Sequence, residues 1–192
     1  EVMADAYRVI IADPPWKYAN SGCRGAAENH YSTMTVEEIC ALPVSTLADD
    51  NAVLLLWTTW PQLQEGMQVL KAWGFEYVTG FPWLKIIGTP QTNLWGDLEI
   101  KSQYGIGFWV RGCTEPLLIG RRGNVTPPAH GFVGLPSQNL RHSRKPDNLY
   151  HYAASMPGPY LELFARRPRP GWAVWGNAIE STLQMAVKEP NP

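Results

Sequence analysis

One short stretch near the amino terminus constrains the fold more than any other: the apolar run Val9–Ala12 stops at Asp13-Pro14-Pro15-Trp16. An unbroken apolar, β-branched run without polar alternation is typical of a strand that is buried on both faces of a parallel sheet. Two consecutive prolines fix φ and remove two backbone donors, so the chain must leave the sheet as a rigid turn. Open α/β sheets bind ligands at the carboxyl ends of their strands, so the sequence predicts a ligand site here.

The residue types at this strand end indicate which ligand would fit. The carbonyls of Asp13 and Pro14 are predicted to lack local partners and therefore to accept hydrogen bonds from outside the turn. A carboxylate, free carbonyls and an indole suit a flat heterocycle that carries an exocyclic amine. The alternative reading of these residues is a strand that ends in a proline turn, followed by a core tryptophan.

The rest of the chain alternates between strand and helix patterns. Strands are predicted at Tyr7–Ala12, Ala52–Trp57, Tyr77–Lys85, Pro116–Gly120, Tyr160–Phe164 and Trp172–Trp175. Helices are predicted at 33–42 with Thr35 as N-cap, from Pro61 to Gly74, from Pro146 to Met156 and near Ile179–Val187. Loops are predicted at 17–32, 86–112 and 121–143. This alternation predicts a doubly wound α/β sheet in a single domain that covers residues 1–192.

Composition narrows the class of protein. The chain is 45% hydrophobic and 17% charged, with a net charge of −1, which is typical of a globular domain. Its three cysteines, Cys23, Cys40 and Cys113, are far apart and form no CxxC pair, so we expect reduced thiols and no metal. The longest apolar run, Ala52–Trp57, is too short to span a membrane, and no leader is recognised. We therefore expect a cytoplasmic protein that does not enter a membrane.

The small net charge hides a basic strip. Residues 116–146 contain no acidic residue but include Arg121, Arg122, Arg141, Arg144 and Lys145. A basic strip beside a ligand site is what binding to a phosphate backbone requires, so nucleic acid is the expected partner. A solvated loop is the alternative interpretation.

Several further blocks follow the Asp13–Trp16 turn in a fixed order, and together they cover nearly the whole chain. They are His30–Thr35, Leu55–Thr58, Trp73–Phe75, Trp83–Lys85, Gly107–Trp109 with Glu115, His142–Asp147, Glu162–Arg166 and Gly176-Asn177. With these blocks the sequence resembles the MT-A70-like adenine-N6 methyltransferases, specifically their compact bacterial or phage branch. The resemblance implies a Rossmann-like fold with a mostly parallel sheet and S-adenosylmethionine as cofactor. It also implies a permuted order, in which the catalytic strand precedes the cofactor strand at Glu162–Arg166.

The resemblance, together with the residue chemistry and the charge pattern, implies three groups of site residues. The catalytic group is Asp13, Pro14, Pro15 and Trp16. The cofactor-binding group is Asp13, Lys145, Arg166, Arg167, Asn177 and Ala178. The substrate-binding group is Tyr18, Tyr31, Trp57, Trp83, Lys85, Arg121, Arg122 and Arg144. Some of these residues also have a purely structural interpretation: Trp57 as core, Lys85 as a solvated lysine, Arg166 as the partner of Glu162, and Asn177 as a turn residue.

The expected chemistry follows from the methyl acceptor, which is the N6 amine of adenine. The N6 lone pair of adenine is delocalised into the ring, so the amine is a poor nucleophile. Asp13 can accept one N6 hydrogen and the Pro14 carbonyl the other, and such bonds strengthen as positive charge develops on N6. The sulfonium of S-adenosylmethionine is already an activated methyl donor, so the reaction needs no metal. Trp16 and Tyr31 are candidates to stack on the extruded base.

Two departures from the eukaryotic relatives concern the cofactor. Their ribose-binding His-Asn pair is replaced here by the shorter segment Arg167–Gly171, so Arg167 is the candidate to take over that contact. Only twelve residues precede Asp13 in this sequence, so the residues that enclose the adenine ring of the cofactor are expected to come from another part of the structure.

The leading functional hypothesis is adenine-N6 methylation of DNA. The alternatives are the same reaction on RNA or a free nucleotide, or a catalytically inactive nucleic-acid-binding subunit. A homodimer or a partner subunit is compatible with this sequence.

Overall fold

A computed structural model of the protein describes residues 6–17, 33–102, 104, 109–128, 135–138 and 145–185. Within these residues, eight strands form one sheet: β1 Tyr7–Ala12, β2 Ala48–Trp57, β3 Glu76–Thr92, β4 Leu98–Ser102, β5 Thr114–Arg122, β6 Leu135–Gln138, β7 Tyr160–Leu163 and β8 Trp172–Trp175. The same part of the chain forms four α-helices: α1 Val36–Cys40, α2 Val44–Leu47, α3 Leu63–Ala72 and α4 Asn148–Ala154.

The strand order in the sheet is β4-β3-β5-β2-β1-β7-β8, and β6 pairs with β3. The central strand β1 is parallel to β2 and β7, and β7 is parallel to β8. On the other side β5 runs antiparallel to both β2 and β3, and β3 and β4 form an antiparallel hairpin. The α/β class is confirmed, but the sheet is more mixed than predicted because half of it is built around antiparallel β5.

Strand β1 lies in the centre because both of its faces are covered. Ile10 and Ala12 pack into a core cluster that contains residues of α1 and α3, including Ile39 and Leu70. Val9 and Ile11 point to the opposite face, where residues of α4 such as Leu149 complete a second cluster. Helices on both faces explain why β1 shows no polar alternation.

The predicted helix starts are largely confirmed. Thr35 is the N-cap of α1, where its side chain accepts a hydrogen bond from the Glu38 amide while the Glu38 carboxylate accepts one from Thr35 N. This reciprocal arrangement is a capping box. Helix α3 begins at Leu63, after a 3₁₀ turn at Trp60–Gln62. It ends before Gly74, whose φ of +82° favours glycine.

The expectation of an irregular segment over 86–112 is wrong for its first half. Strand β3 continues to Thr92, and β4 returns alongside it. Gly88 has a φ of +67°, and the regular pairing of β3 with β4 is interrupted beside it. This interruption breaks the period-two alternation of side chains by which a strand is recognised in a sequence. The side chain of Asn93 closes the hairpin by accepting hydrogen bonds from the amides of Trp95 and Asp97.

Two other expectations about secondary structure are corrected. The predicted loop over 121–143 contains strand β6, and the helix predicted near Ile179–Val187 is absent from residues 179–185. That segment instead folds back along β8, where the Thr182 amide donates to Val174 O and the Val174 amide donates to Thr182 Oγ1. A threonine hydroxyl that bonds a neighbouring backbone competes with helix formation.

Candidate active site

The parallel strands bring several functional side chains to one edge of the sheet. Asp13 follows β1, Arg166 comes three residues after β7, and Asn177 follows shortly after β8. Because β5 is antiparallel, its amino-terminal end, with Glu115, reaches the same edge. The edge therefore collects charged groups that follow or lie on β1, β3, β5 and β7, together with the amide of Asn177 after β8.

The turn after β1 is held by its own backbone and by two neighbouring segments. The Trp16 amide donates to Pro14 O over 2.9 Å, and the Met34 amide donates to Pro15 O over 2.8 Å. The side-chain amide of Gln62 donates to Lys17 O over 2.8 Å. The prediction that the Pro14 carbonyl lacks a local partner is therefore wrong, because two prolines force a tight turn in which Trp16 is the donor. A carbonyl oxygen has a second lone pair, so Pro14 O can still accept one more hydrogen bond.

The three tryptophans among the predicted site residues lie in the core beneath this edge. Trp16 is 6% exposed and its indole donates to Trp57 O over 3.1 Å. Trp57 and Trp83 are also buried and pack edge to face, with ring centroids 5.8 Å apart. Trp16 thus has no open face for stacking in this structure, and the tryptophans instead form an apolar floor.

Four charged side chains of alternating sign lie on that floor. Lys145 Nζ lies 3.1 Å from Asp13 Oδ1 and also bonds Glu115 Oε1. Lys85 Nζ binds the other oxygen of Glu115 at 2.7 Å. The two ammonium groups lie over indole rings, Lys145 at 5.0 Å from the Trp57 centroid and Lys85 at 5.1 Å from that of Trp83. Cation–π contact and ion pairing together hold both lysines in place.

Burial and charge shift the pKa values of this group in different directions. Burial raises the pKa of Asp13 above the usual carboxyl value, and the ammonium of Lys145 only partly opposes this shift. Burial also acts to raise the pKa of Glu115, but Lys145 and Lys85 outweigh it and hold that pKa below its usual value. Burial acts to lower the pKa of Lys145, yet Asp13 and Glu115 outweigh it and raise that pKa. Lys145 is therefore a stable cation between two carboxylates.

Glu115 is the site residue that the sequence reasoning missed as a functional group. Its partners come from the β3–β5 register, which sets Trp83 opposite Glu115, and from the segment before α4, which carries Lys145. The only signal in the sequence was the position of Glu115 in an ordered block of the family pattern. Recognising its role requires knowing that β5 is antiparallel.

The predicted cofactor residues occupy the ends of β7 and β8. Arg166 is exposed and lowers the pKa of Asp13 through its charge, while Arg167 binds Asp147. Asn177 and Ala178 are exposed in the turn after β8. The structure thus brings Arg166 and Lys145 to Asp13, whereas the guanidinium of Arg167 is already engaged by a carboxylate.

Gly176 allows the ends of β7 and β8 to approach closely. A Cβ on this residue would lie 2.2 Å from Ala165 O and 2.8 Å from Ala165 N. We expect Gly176→Ala to destabilise the protein by about 2–3 kcal/mol, because backbone atoms must move apart. Urea unfolding followed by fluorescence measures this loss. Gly112→Ala is the matched control, since no atom lies within 4 Å of its Cβ position, and an equal midpoint for both variants would contradict the prediction.

The predicted basic strip is not brought to this edge as a whole. Arg121 pairs with Val53, and Val53 pairs with Val9, so Arg121 lies about 13 Å from the Asp13 end of the sheet. Arg121 contacts Glu76, and Arg122 donates to Ser45 O. The expectation that these two arginines lie beside the ligand site is therefore wrong, because antiparallel β5 carries them to the opposite edge. Tyr18, Tyr31 and Arg144 lie outside the described residues.

Two features are absent from the described part of the chain. Within it, no group of three or more His, Cys, Asp or Glu side chains is arranged to hold a metal ion. Its helices are all too short or too polar to cross a membrane.

Comparison with known proteins identifies the family. The model of the MT-A70 family matches residues 7–178. The type II methyltransferase M.MunI of Mycoplasma sp is 30% identical across 95% of this chain and 84% of its own length. The human N(6)-adenine-specific methyltransferase METTL4 is 31% identical across 90% of this chain and 37% of its own. The Drosophila melanogaster N(6)-adenosine-methyltransferase MT-A70-like protein is 32% identical across 91% of this chain, which spans only 27% of that protein. The chain therefore belongs to the MT-A70 family of S-adenosylmethionine-dependent adenine-N6 methyltransferases.

Proposed function

We propose that this chain methylates N6 of adenine in DNA, with Asp13 as the residue that receives the target amine. The observation that carries the proposal is the position of Asp13 at the carboxyl end of the central strand, 3.1 Å from Lys145 and within the field of Arg166. A carboxylate that is 24% exposed at a sheet edge can reach a ligand while its neighbours restrict its orientation.

The charges at this edge fit the methionyl end of S-adenosylmethionine. That group is a zwitterion, and the edge offers the Asp13 carboxylate together with two cations that act on it, Lys145 and Arg166. In this proposal Asp13 binds the ammonium and the two cations bind the carboxylate. Asn177 and Ala178 at the end of β8 take the ribose and adenine side. The bound cofactor supplies an electrophilic methyl group on its sulfonium.

The acceptor amine is held by the turn after β1. Asp13 accepts one N6 hydrogen and Pro14 O the other, which directs the nitrogen lone pair away from the ring. The tight turn supports this role because Trp16, Met34 and Gln62 fix its backbone from three directions. Preorganised acceptors of this kind stabilise charge that develops on N6 without reorganising during the reaction.

Glu115 and Lys85 complete the proposed site. Glu115 fixes Lys145, which has Asp13 as its second carboxylate partner. Lys85 binds the outer oxygen of Glu115 and is 29% exposed, so it lies on the side from which nucleic acid would approach. In this proposal the catalytic strand β1 precedes the cofactor strand β7, which is the permuted order that the resemblance implies. Tyr18, Tyr31 and Arg144 remain the proposed contacts to the target strand.

DNA is proposed over RNA because of how the chain aligns with its relatives. It matches most of the length of the type II methyltransferase but only about a quarter of the adenosine methyltransferase from Drosophila melanogaster. A homodimer or a partner subunit would complete the surface that reads the target sequence.

The test is transfer of radiolabelled methyl from S-adenosylmethionine to matched duplex DNA, single-stranded DNA and RNA, followed by nucleoside analysis. The proposal expects N6-methyladenine in DNA and little label in RNA. Label in RNA alone would overturn the substrate assignment but keep the chemistry. No label in any polymer, from protein that binds the cofactor in calorimetry, would point to a missing partner or a small-molecule acceptor.

A further inference from the structure

A second network of charged and aromatic side chains lies behind the proposed cofactor site. It joins α4 and the residue before it to the segment between β7 and β8, residues 164–171. We call it the α4 clamp, and its members are Asp147, Tyr150, Glu162, Arg167 and Arg169.

The contacts of the α4 clamp link its five members in one continuous chain. Tyr150 on α4 donates a hydrogen bond to Glu162 Oε1 on β7 over 2.7 Å. The guanidinium of Arg169 lies 3.3 Å from the centroid of the Tyr150 ring and donates to Asp147 Oδ1 over 3.3 Å. Arg167 donates to the same oxygen of Asp147. Two arginines of one short segment thus converge on a single carboxylate at the start of α4.

Arg169 is the central member because it is the least exposed arginine of the clamp. Its side chain is 19% exposed, against 44% for Arg167. A planar guanidinium can stack on a ring and donate to a carboxylate at the same time, which a lysine cannot do equally well. The segment that carries it includes Pro168 and Pro170, which have no backbone N–H to donate. Side-chain contacts must therefore supply much of its attachment.

The position of the clamp connects it to the proposed site. Asp147 comes two residues after Lys145, and Arg167 directly follows Arg166. These two neighbours are the cations that act on Asp13. Lys145 is held by Asp13 and Glu115, and Arg166 is joined directly to Arg167, whose guanidinium binds Asp147. The clamp therefore matters most for Arg166.

We propose that Arg169 is a positioning residue that fixes the segment carrying Arg166 for binding of the methionyl carboxylate. This inference rests on the proposed function, because it assigns Arg166 to the cofactor. The inference predicts different effects on cofactor binding and on turnover. Losing Arg169 weakens cofactor binding, whereas the turn that holds the target amine keeps its own contacts.

The test compares Arg169→Gln and Arg169→Lys with the wild-type protein. Calorimetry gives the Kd of S-adenosylmethionine, and steady-state assays give its KM and kcat. We expect Arg169→Gln to raise Kd and KM about tenfold, since a misplaced binding group loses much of its effect. The kcat at saturating cofactor should change less than about threefold. Arg169→Lys should lie between the two, because it keeps the charge but loses the stacked plane.

A double-substitution cycle tests whether the clamp acts as a unit. Asp147→Asn should also raise the Kd of the cofactor, and Asp147→Asn combined with Arg169→Gln should be no worse than the more severe of the two. Fully additive effects of the two changes would overturn the shared role.

A control variant separates positioning from a general loss of stability. Gly74→Ala places a side chain at a φ of +82° after α3, far from the clamp, and should lower Tm without changing Kd. An Arg169→Gln protein that binds the cofactor as tightly as wild type would overturn the inference alone. So would a Gly74→Ala protein with the same rise in Kd. Wild-type protein that binds no S-adenosylmethionine would overturn the proposed cofactor site, and the role of Arg169 with it.

Discussion

Asp13→Ala is expected to remove methyl transfer while leaving the fold intact. The substitution deletes the acceptor for one N6 hydrogen and, in the proposed site, the partner of the methionyl ammonium. Losing a group that acts on the reacting amine lowers kcat by about 10²- to 10⁴-fold. Measurement of label transfer to the preferred polymer at saturating cofactor checks this value.

The stability of the same variant follows from the pKa of Asp13. Burial raises that pKa, so the ionised carboxylate is less favourable in the folded protein than in water, and removing it costs the fold little. We therefore expect Tm to stay within a few degrees of wild type. Asp13→Asn is the closer mimic and should be impaired as well, because an amide lacks the charge that binds an ammonium. Asp50→Ala is the control, since that carboxylate is 96% exposed and lies at the opposite edge. Retained turnover in Asp13→Ala would contradict the proposed mechanism.

The part of the fold that could be predicted from sequence depends on local signals. Strand β1 follows from an apolar run, and the cap of α1 follows from Thr35 and Glu38 at the spacing of a capping box. The turn at Asp13 follows from two prolines. Each of these features is specified by residues close together in the chain, so the pattern alone is sufficient.

The features that could not be predicted depend on distant pairings. Glu115 reaches the site, and Arg121 leaves it, for the same reason: β5 runs antiparallel to its neighbours. An apolar run does not reveal the direction of its strand, so the position of these residues relative to the site could not be predicted from the sequence.

The helix predicted after β8 is absent for a local reason. The hydroxyl of Thr182 forms hydrogen bonds with the β8 backbone.

Lys145→Gln is expected to have the second large effect, which is a change in the pH dependence of kcat/KM. The proposed reaction requires ionised Asp13, because only the carboxylate accepts a hydrogen from N6 and binds the ammonium. Activity therefore falls as the pH drops through the pKa of Asp13. The ammonium of Lys145 opposes the rise in that pKa that burial and the nearby Glu115 carboxylate cause. Removing this ammonium leaves Arg166 as the remaining cation that opposes the shift.

We expect the acid limb of the kcat/KM profile to move upward by about one to three pH units in Lys145→Gln, since a nearby opposite charge shifts a carboxyl pKa by that amount. The KM of S-adenosylmethionine should also rise by about 10- to 100-fold, as expected for losing a hydrogen bond to a charged group. Raising the pH should recover part of kcat/KM but not the KM. Lys145→Arg should keep the acid limb close to wild type because it retains the charge, and Lys71→Gln, an exposed lysine at the end of α3, is the matched neutral control. An acid limb that stays at its wild-type pH in Lys145→Gln would show that Lys145 does not set the ionisation of Asp13.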